Sequence, residues 1–171
     1  MASLMENLID VLQKECTEYD RLLHLSQKKT PLIVNGDLTA LQQVTEEEQS
    51  TVGVISHLDS RRDEVMKDIA NVLNKDVANL KVSALVRMLG ERPGEQKLLQ
   101  DARERLANSA KELKRVNEQN RDLLIGALEL VEFDMNLLQA LRKGPQTANY
   151  DHGTYSGAAL SVDTSSFDAK Q

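Results

Sequence analysis

The sequence has very few aromatic residues. Of its 171 residues three are tyrosine, two are phenylalanine and none is tryptophan. A globular α/β enzyme of this size normally buries more rings than that. The remaining apolar residues are mostly leucine, valine, isoleucine and alanine, and 28% of the chain is charged. This composition favours long amphipathic helices.

Cysteine and metal-binding patterns are also scarce. Cysteine occurs once, at Cys16, which excludes an internal disulfide and a cysteine-rich metal site. Cys16 falls among apolar residues at helical spacing, so we expect a small buried side chain and not a reactive thiol. The histidines, His24, His57 and His152, do not follow the Glu-x-x-His pattern of di-iron bundles or any zinc-site spacing. We therefore expect no metal, no cofactor and no enzymatic activity.

Basic residues are in the minority, and the formal net charge is −6. Affinity for nucleic acid depends mostly on clustered lysine and arginine, so the acidic balance argues against a nucleic-acid partner. The longest apolar stretch, 123–141, contains Glu129, Glu132 and Asp134, and it cannot serve as the roughly 20-residue span of a bilayer. The N-terminal segment lacks the basic region of a secretory signal. We expect a cytoplasmic protein without membrane insertion.

Apolar residues recur at steps of three and four over three long segments, which predicts three long helices. Thr30-Pro31 is expected to end the first one, because proline lacks an amide proton and disfavours helical conformation in the residue before it. A short helix is expected between the second and third. The predicted helices span about 3–28, 37–74, 82–89 and 95–143. The expected fold is all-α: an elongated antiparallel helical bundle or coiled coil of residues 1–143, with three long helices and one short helix.

The break between the first two helices carries the sequence Asn35-Gly36-Asp37. Glycine readily adopts the left-handed conformation that ends a helix, and aspartate is a good N-cap for the next one. An Asn-Gly hairpin turn is the competing interpretation. Neither flank alternates with a period of two, so we expect the helical break.

The last predicted helix carries more apolar surface than one neighbouring helix covers. Its seam has thirteen positions at alternating steps of three and four, and ten of them are apolar. Between residues 123 and 138 further leucine, isoleucine and valine residues lie beside the seam. Asn120 and Asp134 are polar seam positions, and three interpretations remain open. They specify the register of the bundle, they reach solvent where the bundle loosens, or they belong to a seam that awaits a partner helix.

After Gly144-Pro145 the composition changes to Gly, Ser, Thr, Ala and Asp without a helical period. Ordering such a segment costs about 1–2 kcal/mol of backbone entropy per residue with little apolar area to offset it. Residues 144–171 are therefore predicted to be a disordered tail. Three of the five aromatic residues, Tyr150, Tyr155 and Phe167, lie in it. Their presence suggests a docking segment that folds on a partner.

The order of these features resembles the FlgN family of flagellar export chaperones over residues 1–160. An apolar-x-x-Asn-Gly-Asp-Leu break, here 33–38, joins two long helices, and the second helix has a Glu46-Glu47-Glu48 cluster and an Arg61-Arg62 pair. The final helix carries Lys-Arg-Val-Asn-Glu-Gln-Asn-Arg-Asp-Leu-Leu, residues 114–124, which is the most family-like stretch. Thr30-Pro31 departs from the continuous first helix expected of the family.

The resemblance implies a specific function. Members of the family bind the disordered, helix-forming terminus of hook–filament junction (hook-associated) proteins, here called the client, in the cytoplasm. They prevent its premature assembly and deliver it to the type III export gate. By position, the implied client-binding residues are Asn117, Asn120, Leu123, Leu124, Leu128, Val131 and Leu138, and the implied gate-docking residues are Tyr150 and Tyr155.

Each of these assignments has a plainer alternative. Any one of the leucines is equally well explained as bundle core, and the two asparagines as hydrogen-bonding partners between helices. For the two tyrosines, the alternative is that they are incidental aromatic residues in an inert linker. The alternative function for the whole chain is a coiled-coil dimerisation or scaffold protein without a client, in which a homodimer buries the wide apolar stripe. A nucleic-acid-binding hairpin is disfavoured by charge.

Overall fold

The structure, a computed structural model, describes residues 3–143. This part of the chain consists of four α-helices and a single 3-10 turn, Val77–Asn79, and has no strand. The helices are α1 (Leu4–Asn35), α2 (Leu38–Leu73), α3 (Val82–Met88) and α4 (Pro93–Arg142). The prediction of an all-α helical bundle is confirmed. The predicted tail, 144–171, lies outside the described residues.

The first helix is longer than predicted. It continues through Pro31 to Asn35, where the predicted end was residue 28. Pro31 removes the hydrogen bond to the Gln27 carbonyl, but both residues are exposed, so water can bind that carbonyl. The turn beyond Pro31 is retained because it buries Ile33 against the bundle. The prediction that Thr30-Pro31 ends the helix is therefore wrong.

Capping residues fix the ends of α1 and the start of α2. The Ser3 hydroxyl accepts the Glu6 amide at 3.1 Å, and the Glu6 carboxylate accepts the Ser3 amide at 2.7 Å, which is a capping box. Gly36 ends the helix with φ of 68°, in the left-handed region. The Asp37 carboxylate then accepts the Ala40 amide at 3.0 Å. The predicted helical break at 35–37 is confirmed.

The directions of the long helices follow from the contacts between them. Glu15 pairs with Arg62 and Ser26 pairs with Glu48, so α1 and α2 form an antiparallel hairpin. In the first part of the bundle the Cys16 thiol donates to the Ala102 carbonyl at 3.2 Å. Further along, the Asn120 amide donates to the Ser26 carbonyl at 2.7 Å, so α4 runs parallel to α1 and antiparallel to α2.

Cys16 is completely buried among the apolar residues of α1, as predicted. Burial raises the pKa of its thiol above the ordinary value. A buried thiol with a raised pKa is a poor nucleophile, because the thiolate is the reactive form. The side chain therefore serves packing.

The main apolar core lies where α3 joins the three long helices. The buried residues there come from all four helices: Leu8, Leu12 and Cys16 of α1, Val65, Met66, Ile69 and Ala70 of α2, Leu85 of α3, and Leu99 and Ala102 of α4. Farther along, α2 contributes little. Within Leu38–Glu64, all of it described, Thr51 is the only buried side chain. The first half of α2 is thus sparsely packed.

The described residues belong to two compact units, the first ending at Asp134 and the second beginning at Met135. None of the described helices has a stretch long and apolar enough to cross a membrane.

Candidate protein-binding site

The apolar seam of α4 is buried over its first half and exposed over its second. Leu99, Leu113 and Val116 are buried. From Leu124 onward the apolar side chains of the first unit are at least one-third exposed. Leu128 is 67% exposed. Leu124, Ile125, Leu128 and Val131 project from one side of the helix, and we call them the α4 apolar face. Leu130 and Phe133 are also exposed, but they project from the other side of the helix.

The seven predicted client-binding residues differ in their exposure: five are exposed, one is half-buried and one is buried. Leu124, Leu128 and Val131 belong to the α4 apolar face. Asn117 is exposed to solvent. Leu138 lies in the second unit and is exposed there. Leu123 is half-buried and Asn120 is buried. The predicted gate-docking residues, Tyr150 and Tyr155, lie outside the described residues.

Asn120 joins α4 to α1 through two hydrogen bonds. Its Oδ1 accepts the Thr30 hydroxyl at 2.7 Å, and its Nδ2 donates to the Ser26 carbonyl at 2.7 Å. On the other side of α1, Glu48 of α2 accepts the Ser26 hydroxyl and the Lys29 ammonium, each at 2.8 Å. These five residues form a polar layer across three helices. The interpretation that Asn120 sets the helix register agrees best with this geometry, whereas Asp134 is exposed to solvent.

We expect Asn120→Ala to lower the free energy of unfolding by about 1–2 kcal/mol, because the Thr30 hydroxyl and the Ser26 carbonyl both lose a partner. Asn117→Ala is the matched control, since Asn117 is on the same helix and exposed. We expect it to change the stability by less than about 0.5 kcal/mol. Urea unfolding followed by circular dichroism measures both. Equal effects would show that the polar layer contributes nothing specific.

A groove opens above the polar layer, between α2 and α4. Its volume is about 580 Å³. Leu22, Ser26 and Lys29 of α1 form the floor. Thr45, Glu48, Gln49 and Val52 form the α2 wall, and Asn117, Asn120, Arg121, Leu124, Ile125 and Leu128 form the α4 wall. The floor is therefore mostly polar. The apolar side chains of the walls are Val52 on α2 and Leu124, Ile125 and Leu128 on α4.

A second, more apolar space of about 280 Å³ adjoins the groove at the α1–α2 turn. It shares Leu124 and Leu128 with the groove, and Ile33, Leu41 and Val131 also line it. The α4 apolar face therefore continues from the groove to the end of the helical hairpin. Such a large contiguous apolar surface, with polar residues at its rim, is typical of a protein-interaction site.

Sequence reasoning missed the α2 wall. Periodicity assigns a residue such as Val52 to a helical face without showing what lies opposite. Val52 is 50% exposed and faces Leu124 and Leu128 across the groove. The available signal was its position one residue from Thr51, on the same side of α2 as Ile55.

A buried ion pair lies farther along the α1–α2 interface. Glu15 is 1% exposed, and its Oε2 accepts Nη1 of Arg62 at 2.8 Å. Arg62 also donates to Asp59. Burial raises the pKa of Glu15, and the neighbouring arginine opposes that rise. In the part of the chain that is described, no group of three or more His, Cys, Asp or Glu is placed to hold a metal ion.

Comparison with known proteins gives two matches. A family model described as FlgN protein matches residues 1–156 of this chain. A relative in Bacillus subtilis (strain 168), named "Uncharacterized protein YvyG", is 26% identical over 131 residues, which cover 77% of this chain and 78% of the relative. No solved structure matches the chain.

Proposed function

Since this chain belongs to the FlgN family, we propose that it acts in the cytoplasm as the export chaperone of hook–filament junction proteins. Membership of this family implies a flagellar export chaperone and not an enzyme. The finer proposal is that the chain binds the helix-forming terminus of a junction protein, prevents its premature assembly and delivers it to the type III export gate.

The exposure of the α4 apolar face is the observation that carries this proposal. Four large apolar side chains project from one side of the helix, although the same helix buries most of its seam from Leu99 to Val116. Burying such side chains stabilises a complex by about 1.5–3 kcal/mol each before the costs of association are subtracted. An amphipathic client helix is the kind of partner that fits a groove of this form.

The proposed client contacts are Leu124, Leu128 and Val131 in the first unit and Leu138 in the second, with Asn117 as a polar contact at the rim. Leu123 and Asn120 also belong to the proposed site. Because Asn120 is committed to the polar layer, we propose that it supports binding by holding α4 in place.

Titration with the purified junction proteins encoded in the same genome tests the proposal. We expect a stable complex that depends on the terminal segment of the junction protein. Sedimentation over a range of concentrations separates this function from the scaffold alternative. A tight homodimer that junction proteins do not perturb would favour the scaffold and contradict the proposal. A homodimer that the client dissociates would agree with it.

The proposal that the tail docks on the export gate has its own test. Because Tyr150 and Tyr155 are not among the proposed client contacts, replacing both by alanine is expected to leave client affinity within about twofold. Binding to the purified gate component is expected to be lost, because buried tyrosines often dominate small interfaces. Interferometry with the immobilised gate component, with and without client, measures both. Unchanged gate binding would contradict the assignment.

A further inference from the structure

Helix α3 occupies the space between α2 and α4 at one end of the bundle. Its Leu85 packs in the same buried cluster as Ile69 of α2 and Leu99 of α4. Its last turn is also tied to α4, since Gln96 donates from its side chain to the Val86 carbonyl at 2.9 Å. At this level four helices surround one core. The short helix ends at Met88, so only three helices continue from there.

Open surface continues from the groove along α4 in both directions. A concave surface of about 400 Å³ on α4, from Ala110 to Arg121, shares Asn117 and Arg121 with the groove. A pocket of about 240 Å³ between α1 and α2 shares Val52 with the groove. The open stretch therefore follows α4 continuously from Ala110 to Val131. At 1.5 Å per residue it is about 32 Å long, which is the length of a helix of about 20 residues.

The packing of α2 agrees with an absent neighbour along this stretch. Thr51 is the only buried side chain in Leu38–Glu64, whereas Val65, Met66, Ile69 and Ala70 are all buried at the level of α3. The apolar content of α2 does not explain the change, because Val52 and Val54 are large apolar residues in the open part and are about half exposed. The presence of α3 as a neighbour accounts for the greater burial of the α2 side chains at its level.

The charges of the residues that line the groove indicate which kind of helix fits it. Arg121 on the α4 wall has no ion-pair partner among the described residues. Lys114, on the adjoining concave surface of α4, forms an exposed ion pair at 3.9 Å with Glu118, which lines the same surface. These two basic residues are seven positions apart, which is two helical turns on one face. On the α2 wall, Thr45 and Gln49 are neutral, and the charge of Glu48 is paired with Lys29 of the floor. A helix with acidic residues on the flank that faces α4 matches this arrangement.

We infer that the groove is the place of a fourth helix of the bundle, and that one amphipathic client helix of about 20 residues fills it. The client helix packs against α2 through Val52 as well as against α4, and its acidic flank faces Lys114 and Arg121. This inference rests on the proposed function, but it adds a second wall that the family assignment does not supply. A client that binds α4 alone does not need Val52.

Two substitutions on α2 test this directly. Val52→Asp places a carboxylate in the groove, while Val54→Asp places one on an equally exposed part of α2 that lines none of the cavities described above. The probe is a labelled synthetic peptide of about 20 residues, with leucine at alternating steps of three and four, glutamate on one flank and glutamine on the other. Fluorescence anisotropy measures its affinity, and melting curves confirm that both variants remain folded.

We expect Val52→Asp to weaken peptide binding by about tenfold or more, and Val54→Asp by less than about twofold. We also expect weaker binding of a peptide whose acidic flank is changed to lysine. Equal affinities of the wild type and Val52→Asp would overturn the inference, as would an equal loss in both variants.

Sedimentation provides a further check. A dimer that Val52→Asp dissociates, together with no binding of the peptide, would show that a second copy occupies the groove.

The same variants separate this inference from the proposed function. If the junction protein binds wild type and Val52→Asp equally but does not bind Leu128→Asp, the chaperone function stands and the fourth-helix inference fails. If the peptide discriminates between Val52→Asp and Val54→Asp but no junction protein binds, the groove accepts a helix and the proposed client is wrong.

Discussion

Leu128→Asp is expected to weaken client binding by about 100-fold, which is about 2.7 kcal/mol, and to leave the folded chain nearly as stable as before. Leu128 is 67% exposed, and it lines both the groove and the apolar space beside it. In the complex the new carboxylate would be buried against apolar side chains without a partner, which is strongly unfavourable. In the free protein it stays in water, so the cost is mainly the lower helix propensity of aspartate, about 0.5 kcal/mol.

Leu98→Asp is the matched control for this prediction. Leu98 lies on the same helix, is 49% exposed, and lines none of the cavities described above. We expect it to change client affinity by less than about twofold. Calorimetric titration gives the affinities and thermal melting gives the stabilities. If Leu128→Asp reduced the free energy of unfolding by as much as it reduced the free energy of client binding, Leu128 would be part of the bundle core. Its assignment to the client site would then be wrong.

Arg62→Met is expected to destabilise the bundle by about 3 kcal/mol, the largest effect on folding that we predict for an exchange on α2. Arg62 is the partner of Glu15, whose side chain is 1% exposed and whose Oε1 has no hydrogen-bond partner. Removing the guanidinium leaves a buried carboxylate without a counter-charge. Arg61→Met is the matched control, because Arg61 is exposed and pairs only with exposed Glu64, and its effect should be below about 0.5 kcal/mol.

The pH dependence identifies Glu15 as the cause. The pKa of Glu15 is raised in the folded protein by burial, and loss of Arg62 removes the main opposing influence. An acid whose folded pKa exceeds its unfolded pKa lowers stability as pH rises through the interval between them. The difference between Arg62→Met and wild type should therefore be small below the unfolded pKa and grow above it. Glu15→Met combined with Arg62→Met should restore most of the stability. A loss that is independent of pH would contradict this explanation.

Much of the fold follows from the sequence because its signals are local. The step of three and four defines the long helices, and Gly36 and Asp37 define the break between the first two, since the left-handed conformation and the N-cap depend on single residues. Pro31 shows the limit of local reasoning. The proline removes one hydrogen bond, but whether the helix continues depends on the packing of Ile33, which is a tertiary contact.

The candidate site was predictable only in part, for a related reason. The width of the apolar stripe on the last helix indicated that its second half lacks a neighbour, and the exposure of Leu124, Leu128 and Val131 agrees with that indication. The resemblance assigned both Asn117 and Asn120 to the client, although Asn120 is a seam position that is buried between helices and Asn117 is exposed. Periodicity did not show that Asn120 is held by Thr30 and Ser26 of another helix.

Hydroxyl-radical footprinting of the α4 apolar face, in the monomer and in the client complex, tests the central claim most directly. Leu98 and Leu99 supply internal references, since the first is about half exposed and the second is completely buried. In the monomer we expect Leu128 to be labelled at least as fast as Leu98, and in the complex we expect it to be labelled as slowly as Leu99 while Leu98 does not change. Slow labelling of Leu128 in the free monomer, or unchanged fast labelling in the complex, would contradict the account.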